Sequence, residues 1–341
     1  MTDGRFAQAL RGETLRTPPI WLMRQAGRYQ QRYREMRLRH RFEDLCRVPD
    51  LAAEAAMNAI EDFDFDAAIV FSDLLFPLEA LGFGLSYDAG PPALDVRLTP
   101  QTLAALRPWQ EAAPRLRFQA DAVAATRARL DPGKGLIGFV GGPWTLFVYA
   151  CEGSHAGALP VAKSSPGLYR AFADMAVPLL TEAIRMQLEA GADVVMMLDT
   201  AAGEVPPAYF GSAVGPDLAA IANAFPGRVG YYAKASHPDQ LSVRAFAGAP
   251  WAGIGVDSRW SLPQLLTSER RGFVQGNFDP AMMLMPEAEL RGAIRAWLAP
   301  IRALTPAERH GWICGLGHGV LPGTPEANVR MFVREVREAF A

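Results

Sequence analysis

The sequence predicts an α/β chain: a single (β/α)8 TIM barrel over residues 1–341 with an insertion after strand 2. Three observations predict it. Eight short apolar runs alternate with longer amphipathic stretches in one unbroken order. The runs are almost continuously apolar, as the strands of a parallel sheet covered on both faces must be. No Gly-x-Gly-x-x-Gly follows the first run, which weighs against an open doubly wound sheet.

The expected strands are 19–23, 66–71, 135–140, 192–198, 228–233, 251–256, 271–275 and 311–315. Each is short, rich in Val, Ile or aromatic residues, and ends near Gly, Asp, Asn or Lys. The expected helices are 49–62, 116–130, 166–190, 215–224, 237–247, 261–268, 286–303 and 325–340. Asp50 is placed to cap the first, and Ser164-Ser165-Pro166 opens the third. A typical barrel runs to ~250 residues, so 341 allows insertions. The segment 74–115, spotted with Pro and Gly, takes up part of the surplus as the insertion.

Half the residues are apolar, ample for a core, and the net charge is −2. That balance argues against bulk nucleic-acid binding. Cys46, Cys151 and Cys314 are scattered with no Cys-x-x-Cys spacing, so no disulfide framework is expected and a reducing cytoplasm fits. The first residues lack the apolar core of a signal peptide, and no apolar run of ~18 residues suggests a membrane helix. No His-x-Cys or His-x-x-x-His pair points to a zinc site, and neither a Gly-x-Ser-x-Gly elbow nor a Walker loop is present. The expectation is no metal.

Charge is unevenly spread. Residues 1–50 hold 11 Arg, no Lys and 6 acids, a local charge of +5, which leaves −7 for the rest. A GC-rich genome accounts for an excess of Arg over Lys but not for this clustering. The apolar run Pro19–Met23 leads straight into Arg24, Arg28, Arg32, Arg34 and Arg37. The guanidinium fork grips carboxylates or phosphates bidentately and stays charged when partly desolvated.

In a barrel the active site lies where strands end, at the C-terminal face. The expected strand ends are Arg24 with Arg28, then Ser72-Asp73, Gly141–Thr145 leading to Tyr149, Asp199-Thr200, Lys234, Asp257, Gln275-Gly276-Asn277 and Gly315–Pro322 with His318. Plainer readings stand beside these. Arg24 and Arg28 are equally readable as surface ion-pair partners, and Arg37 as part of a solvated helix face. Asp73 and Thr200 are equally readable as helix caps, Tyr149 as core, and Lys234 and Asp257 as partners of their neighbours. His318, between two glycines, is the hardest to explain as packing.

Five collinear motifs then carry a resemblance. Met23-Arg-Gln-Ala-Gly-Arg-Tyr29, Phe71-Ser-Asp73, Gly142-Pro-Trp-Thr145, Gln275-Gly-Asn277 and Gly317-His-Gly319 resemble uroporphyrinogen decarboxylase across essentially the whole chain. The resemblance implies a (β/α)8 barrel, usually a homodimer. It also implies conversion of uroporphyrinogen III to coproporphyrinogen III with no metal or organic cofactor. Four acetates lose carbon dioxide and become methyls. Residue by residue it implies that Asp73 stabilises a pyrrole cation and that Arg24 sits by the reacting acetate. Arg28, Arg37, Tyr149, Thr200 and His318 are implied to bind substrate carboxylates or position the ring. Three details depart from the family pattern: Thr200 where serine is common, Gly315 where an amide side chain is common, and Ser258 in place of tryptophan. Two alternatives remain: a zinc- or corrinoid-linked methyltransferase on the same barrel, and a non-catalytic tetrapyrrole carrier.

Overall fold

The structure is a computed structural model and describes residues 3–87, 92–270 and 272–341. Among these, seven parallel strands pair in chain order, β1 to β7. They are Ala67–Ile69 (β1), Gly135–Gly141 (β2), Val194–Leu198 (β3), Val229–Tyr232 (β4), Gly253–Gly255 (β5), Phe273–Phe278 (β6) and Trp312–Leu316 (β7). Nearly every strand residue is buried, because helices cover the outside and side chains fill the inside. The curled sheet is that of a TIM-barrel-like fold.

The expected first strand, 19–23, is reduced to a stub. Ile20 forms an isolated parallel bridge with Cys314 of β7. Trp21 N donates to the Cys314 carbonyl, and Cys314 N to the Pro19 carbonyl. On its other side Asp66 N donates to the Ile20 carbonyl, and Ile20 N donates to the Asp66 carboxylate at 2.8 Å. The segment 19–21 therefore spans the gap between β7 and the start of β1. A side chain supplies one rung there, so the ladder is too short to count as a strand.

Most helices fall where expected: Pro49–Phe63, Arg117–Arg129, Pro166–Glu189, Gly215–Ala224, Glu287–Arg302 and Glu326–Ala339. Three details differ. Asp50 is not the cap of the first; Val48 occupies that position, Pro49 starts the helix, and Asp50 lies in its first turn. The expected helix 237–247 is broken into Pro238–Leu241 and Arg244–Ala247. The expected strand 271–275 runs on to Phe278, so Gln275-Gly276-Asn277 lies inside β6, and residue 271 is outside the described residues. The insertion 74–115 contains short helices Phe76–Leu81, Pro100–Leu103 and Trp109–Ala112, with Ser86 bridged to Ala93; residues 88–91 are outside the described residues. No described helix is long and apolar enough to cross a membrane.

Candidate active site

The turn after the stub sets Arg24. Gln25 is buried, and its side-chain amide donates to the Ala67 carbonyl of β1 at 2.9 Å. Val320 N, beyond β7, donates to the Met23 carbonyl. Held from both sides, Arg24 takes a left-handed backbone with φ 58°, uncommon for a residue with a Cβ. Its aliphatic stem passes against Gly319; a Cβ there would lie 2.4 Å from Arg24 Cδ. Glycine is required at 319 for that approach.

Asp73 follows β1. Its Oδ1 accepts from Leu75 N at 2.9 Å, a local turn that opens helix Phe76–Leu81. Asp73 is not the helix cap, a position that Leu75 holds without a side-chain bond; among the described residues Oδ2 makes no hydrogen bond. Burial raises the Asp73 carboxyl above its usual range, while the Leu75 N–H, nearby Tyr87 and Arg24 pull the other way. The Tyr87 hydroxyl is close but makes no hydrogen bond of its own in the structure.

The segment after β2 forms helix Pro143–Glu152, with Pro143 at its first position where a missing N–H costs nothing. Its cap comes from another strand. Asp199, just beyond β3, accepts from Thr145 N at 2.8 Å and from Thr145 Oγ1 at 2.7 Å. Thr145 Oγ1 in turn accepts from Ala201 N at 3.0 Å, tying the loop that carries Thr200. A Cβ on Gly142 would lie 2.2 Å from Asp199 Cγ. The Gly142-Pro-Trp-Thr145 motif is therefore a joint that fixes the helix bearing Tyr149. Asp199 is fully buried, and burial raises its carboxyl to about 6 against the hydrogen bonds from Thr145 and Tyr231. Further along the helix, the Tyr149 hydroxyl meets His155 Nδ1 at 2.7 Å.

His318 lies past β7. Its ring stacks on Tyr232, the last residue of β4, with centroids 5.9 Å apart and planes at 14°. The Tyr232 hydroxyl donates to the Gly317 carbonyl at 2.8 Å and sits 3.0 Å from His318 Nδ1. Burial, then Arg24, Lys234 and His155, lower His318 to about 4. Burial, Lys234 and Arg24 also lower His155.

Arg24, Asp73, Tyr149, Thr200, Tyr232 and His318 line one cavity of about 250 Å³. Ile69, Phe71, Phe139 and Leu198 supply apolar wall. The arrangement is an acidic and a basic side chain on one cavity with apolar wall between its polar groups. Such a site can bind a flat apolar body carrying carboxylates and can stabilise positive charge developing on it. Among the described residues, no group of three His, Cys, Asp or Glu is placed to hold a metal ion.

Comparison with known proteins decides the family. The family model described as Uroporphyrinogen decarboxylase (URO-D) matches residues 1–339. This chain belongs to the uroporphyrinogen decarboxylase family. The uroporphyrinogen decarboxylase of Gloeobacter violaceus is 32% identical over 99% of this chain and 98% of its own length. That of a Synechococcus strain is 33% identical over 98% and 97%. A solved methyltransferase from Methanosarcina mazei superposes with a TM-score of 0.79 over 99% of this chain and 98% of its own, at 18% identity. That likeness speaks for the barrel alone.

Five of the residues expected from the resemblance to uroporphyrinogen decarboxylase line the cavity: Arg24, Asp73, Tyr149, Thr200 and His318. Two do not. Arg28 is exposed and outside the lining. Arg37 lines a separate open groove with His40, Phe42 and Tyr87, donates to the His40 carbonyl at 2.7 Å, and lies over the Phe42 ring. Phe42 packs on Tyr87 and Phe71, so Arg37 stands behind the cavity wall. The plainer reading is correct for Asp257, which pairs with Arg259 and accepts from Ala235 N. Asn277 is also structural, binding the Asp257 and Trp260 carbonyls. Tyr232 and His155 were not among the expected site residues. The signal for Tyr232 was Tyr231-Tyr232 at a strand's end: two buried hydroxyls, each needing a partner.

Proposed function

We propose that the chain carries out the reaction for which its family is named, removing carbon dioxide from the four acetates of uroporphyrinogen III to give coproporphyrinogen III. The observation that carries this reading is the family match over residues 1–339 together with Asp73 and Arg24 at one cavity. The reaction class is a carboxy-lyase.

In this reading the substrate supplies its own electron sink. A proton added to a pyrrole carbon makes a ring cation; the C–CO2 bond breaks and its electron pair flows into the ring. A second proton converts the resulting methylene to methyl, and the ring proton is released. No pyridoxal phosphate or thiamine is needed for that flow. Asp73 stabilises the ring cation and accepts hydrogen bonds from pyrrole N–H groups. Its burial raises the cost of ionising it, which makes the charge more responsive to a cation arriving beside it. Arg24 orients the reacting carboxylate; a protonated guanidinium is a poor acid, so proton delivery falls to water held near it. Tyr149 and Thr200 offer hydroxyls for further carboxylates, and Arg28 and Arg37 serve the parts of the substrate that reach beyond the cavity.

The same reading makes residues 1–341 a single catalytic domain acting as a homodimer in the cytoplasm. Three buried, unpaired cysteines fit a reducing compartment. Light scattering on the purified chain tests the dimer. The reaction itself is tested by anaerobic incubation with uroporphyrinogen III, following the seven-, six-, five- and four-carboxylate products. Stepwise appearance of the four-carboxylate product is expected. Binding without any product would overturn the reading in favour of a carrier.

A further inference from the structure

Tyr232 has one hydroxyl proton and two neighbours. The Gly317 carbonyl, at 2.8 Å, can only accept, so it takes that proton. His318 Nδ1, 3.0 Å from the same oxygen, then faces a lone pair. The contact is a hydrogen bond only if Nδ1 carries the hydrogen. A neutral imidazole holds one ring proton, so Nε2 is left with a bare lone pair. His318 lines the cavity, and among the described residues Nε2 makes no hydrogen bond. The near-parallel stack on Tyr232, with planes 14° apart, keeps the imidazole edge that carries Nδ1 level with the hydroxyl.

We infer that Tyr232 is a positioning residue that fixes His318 as the neutral Nδ1–H tautomer. Its Nε2 thereby becomes a hydrogen-bond acceptor for an N–H or O–H group in the cavity, not a cation for a carboxylate. The charged neighbours agree with this. Arg24 and Lys234 oppose protonation of His318, and Asp257, the acid that favours it, is already paired with Arg259. Carboxylates at this mouth then fall to Arg24 and Lys234, while His318 reads the pyrrole N–H edge or a bound water. The inference rests on the tetrapyrrole reading for the identity of the donor, but not for the tautomer.

The test is nitrogen NMR on the full chain labelled with 15N-histidine, at neutral pH and without substrate. His318 is assigned by the resonances lost in His318→Gln. The expected spectrum for the wild type shows a protonated Nδ1 and an unprotonated Nε2. Tyr232→Phe keeps the stacked ring and removes the hydroxyl. Losing one neutral hydrogen bond should then lower the Nδ1–H to Nε2–H ratio by roughly fivefold. An Nε2–H or doubly protonated His318 in the wild type overturns the inference. So does a Tyr232→Phe spectrum with the wild-type ratio, which would reduce Tyr232 to a packing residue. These outcomes do not depend on turnover, so they remain distinct from failure of the decarboxylase reading, which shows as absent product.

Discussion

The stem of Arg24 lies against Gly319, close enough that a methyl group at 319 would overlap Arg24 Cδ at 2.4 Å. The residue proposed to hold the reacting acetate and the glycine after His318 thus share one space. Gly319→Ala should push the arginine off the cavity while the barrel stays folded, since a side chain can yield more easily than backbone. We expect kcat/KM to fall about tenfold, the scale of ~1.4 kcal/mol of lost transition-state stabilisation. Steady-state assay beside a thermal melt separates this from unfolding. A large drop in melting temperature would contradict it.

Asp73→Asn keeps the shape of the side chain and its acceptor for Leu75 N, but removes the negative charge. If Asp73 stabilises a ring cation, kcat should drop by at least about a hundredfold, as when a preorganised electrostatic partner is removed from an active site. Circular dichroism should be unchanged. Near-normal turnover in this variant would refute the role assigned to Asp73.

Arg24 and Arg37 should separate in the same assay. Arg24 lines the cavity, whereas Arg37 stands behind Phe42 and Tyr87. Arg24→Lys is expected to lower kcat, because a point charge does not replace a bidentate fork. Arg37→Lys is expected to act mainly on KM. An equal loss of kcat in both would mean that the groove and the cavity work as one site.

Two buried groups push stability in opposite directions with pH. Asp199 is raised to about 6 by burial, from 3.8, so between those values the folded chain holds a proton that the unfolded chain has released. Its contribution is fully present below ~4 and is lost as pH rises through ~6, a span worth at most about 3 kcal/mol. His318 is lowered to about 4 from 6.5, chiefly by burial and Arg24. Its contribution is present above ~6.5 and is lost as pH falls through ~4. The two nearly cancel between pH ~4 and ~6. Thermal melts should therefore show Asp199→Asn losing more stability than the wild type on acidification over that range, and His318→Gln losing less. Parallel curves for all three proteins would rule out both shifts.

How far the sequence could be read depended on range. Strand order and helix positions follow from local apolar periodicity, and Pro166–Glu189 or Glu326–Ala339 fall within a residue or two of expectation. The first strand did not survive intact, because whether 19–23 pairs depends on how the distant segments at 66 and 314 present themselves. At the site, the family resemblance pointed to Arg24, Asp73, Tyr149, Thr200 and His318, four of them in turns near strand ends and Tyr149 on the helix that follows β2. Arg37 entered through the family resemblance, while its charged run read equally as a solvated helix face; neither says which side of Phe42 the side chain takes. Tyr232 escaped because a tyrosine inside an apolar run looks like core until its hydroxyl is seen between Gly317 and His318.

The bridge between Ile20 and Cys314 joins residues almost a whole chain apart. Contacts of such separation form late, since the loop they close is long. During synthesis the stub must wait for β7, and until residues 319 and 320 have been made Arg24 lacks the Met23–Val320 and Gly319 contacts that aim it. Assembly of the barrel rim and completion of the reaction centre are accordingly one event, which waits on β7 and the loop after it. A chain interrupted before residue 312 would hold both the arginine and the aspartate, yet would keep only the Gln25–Ala67 side of the grip on Arg24.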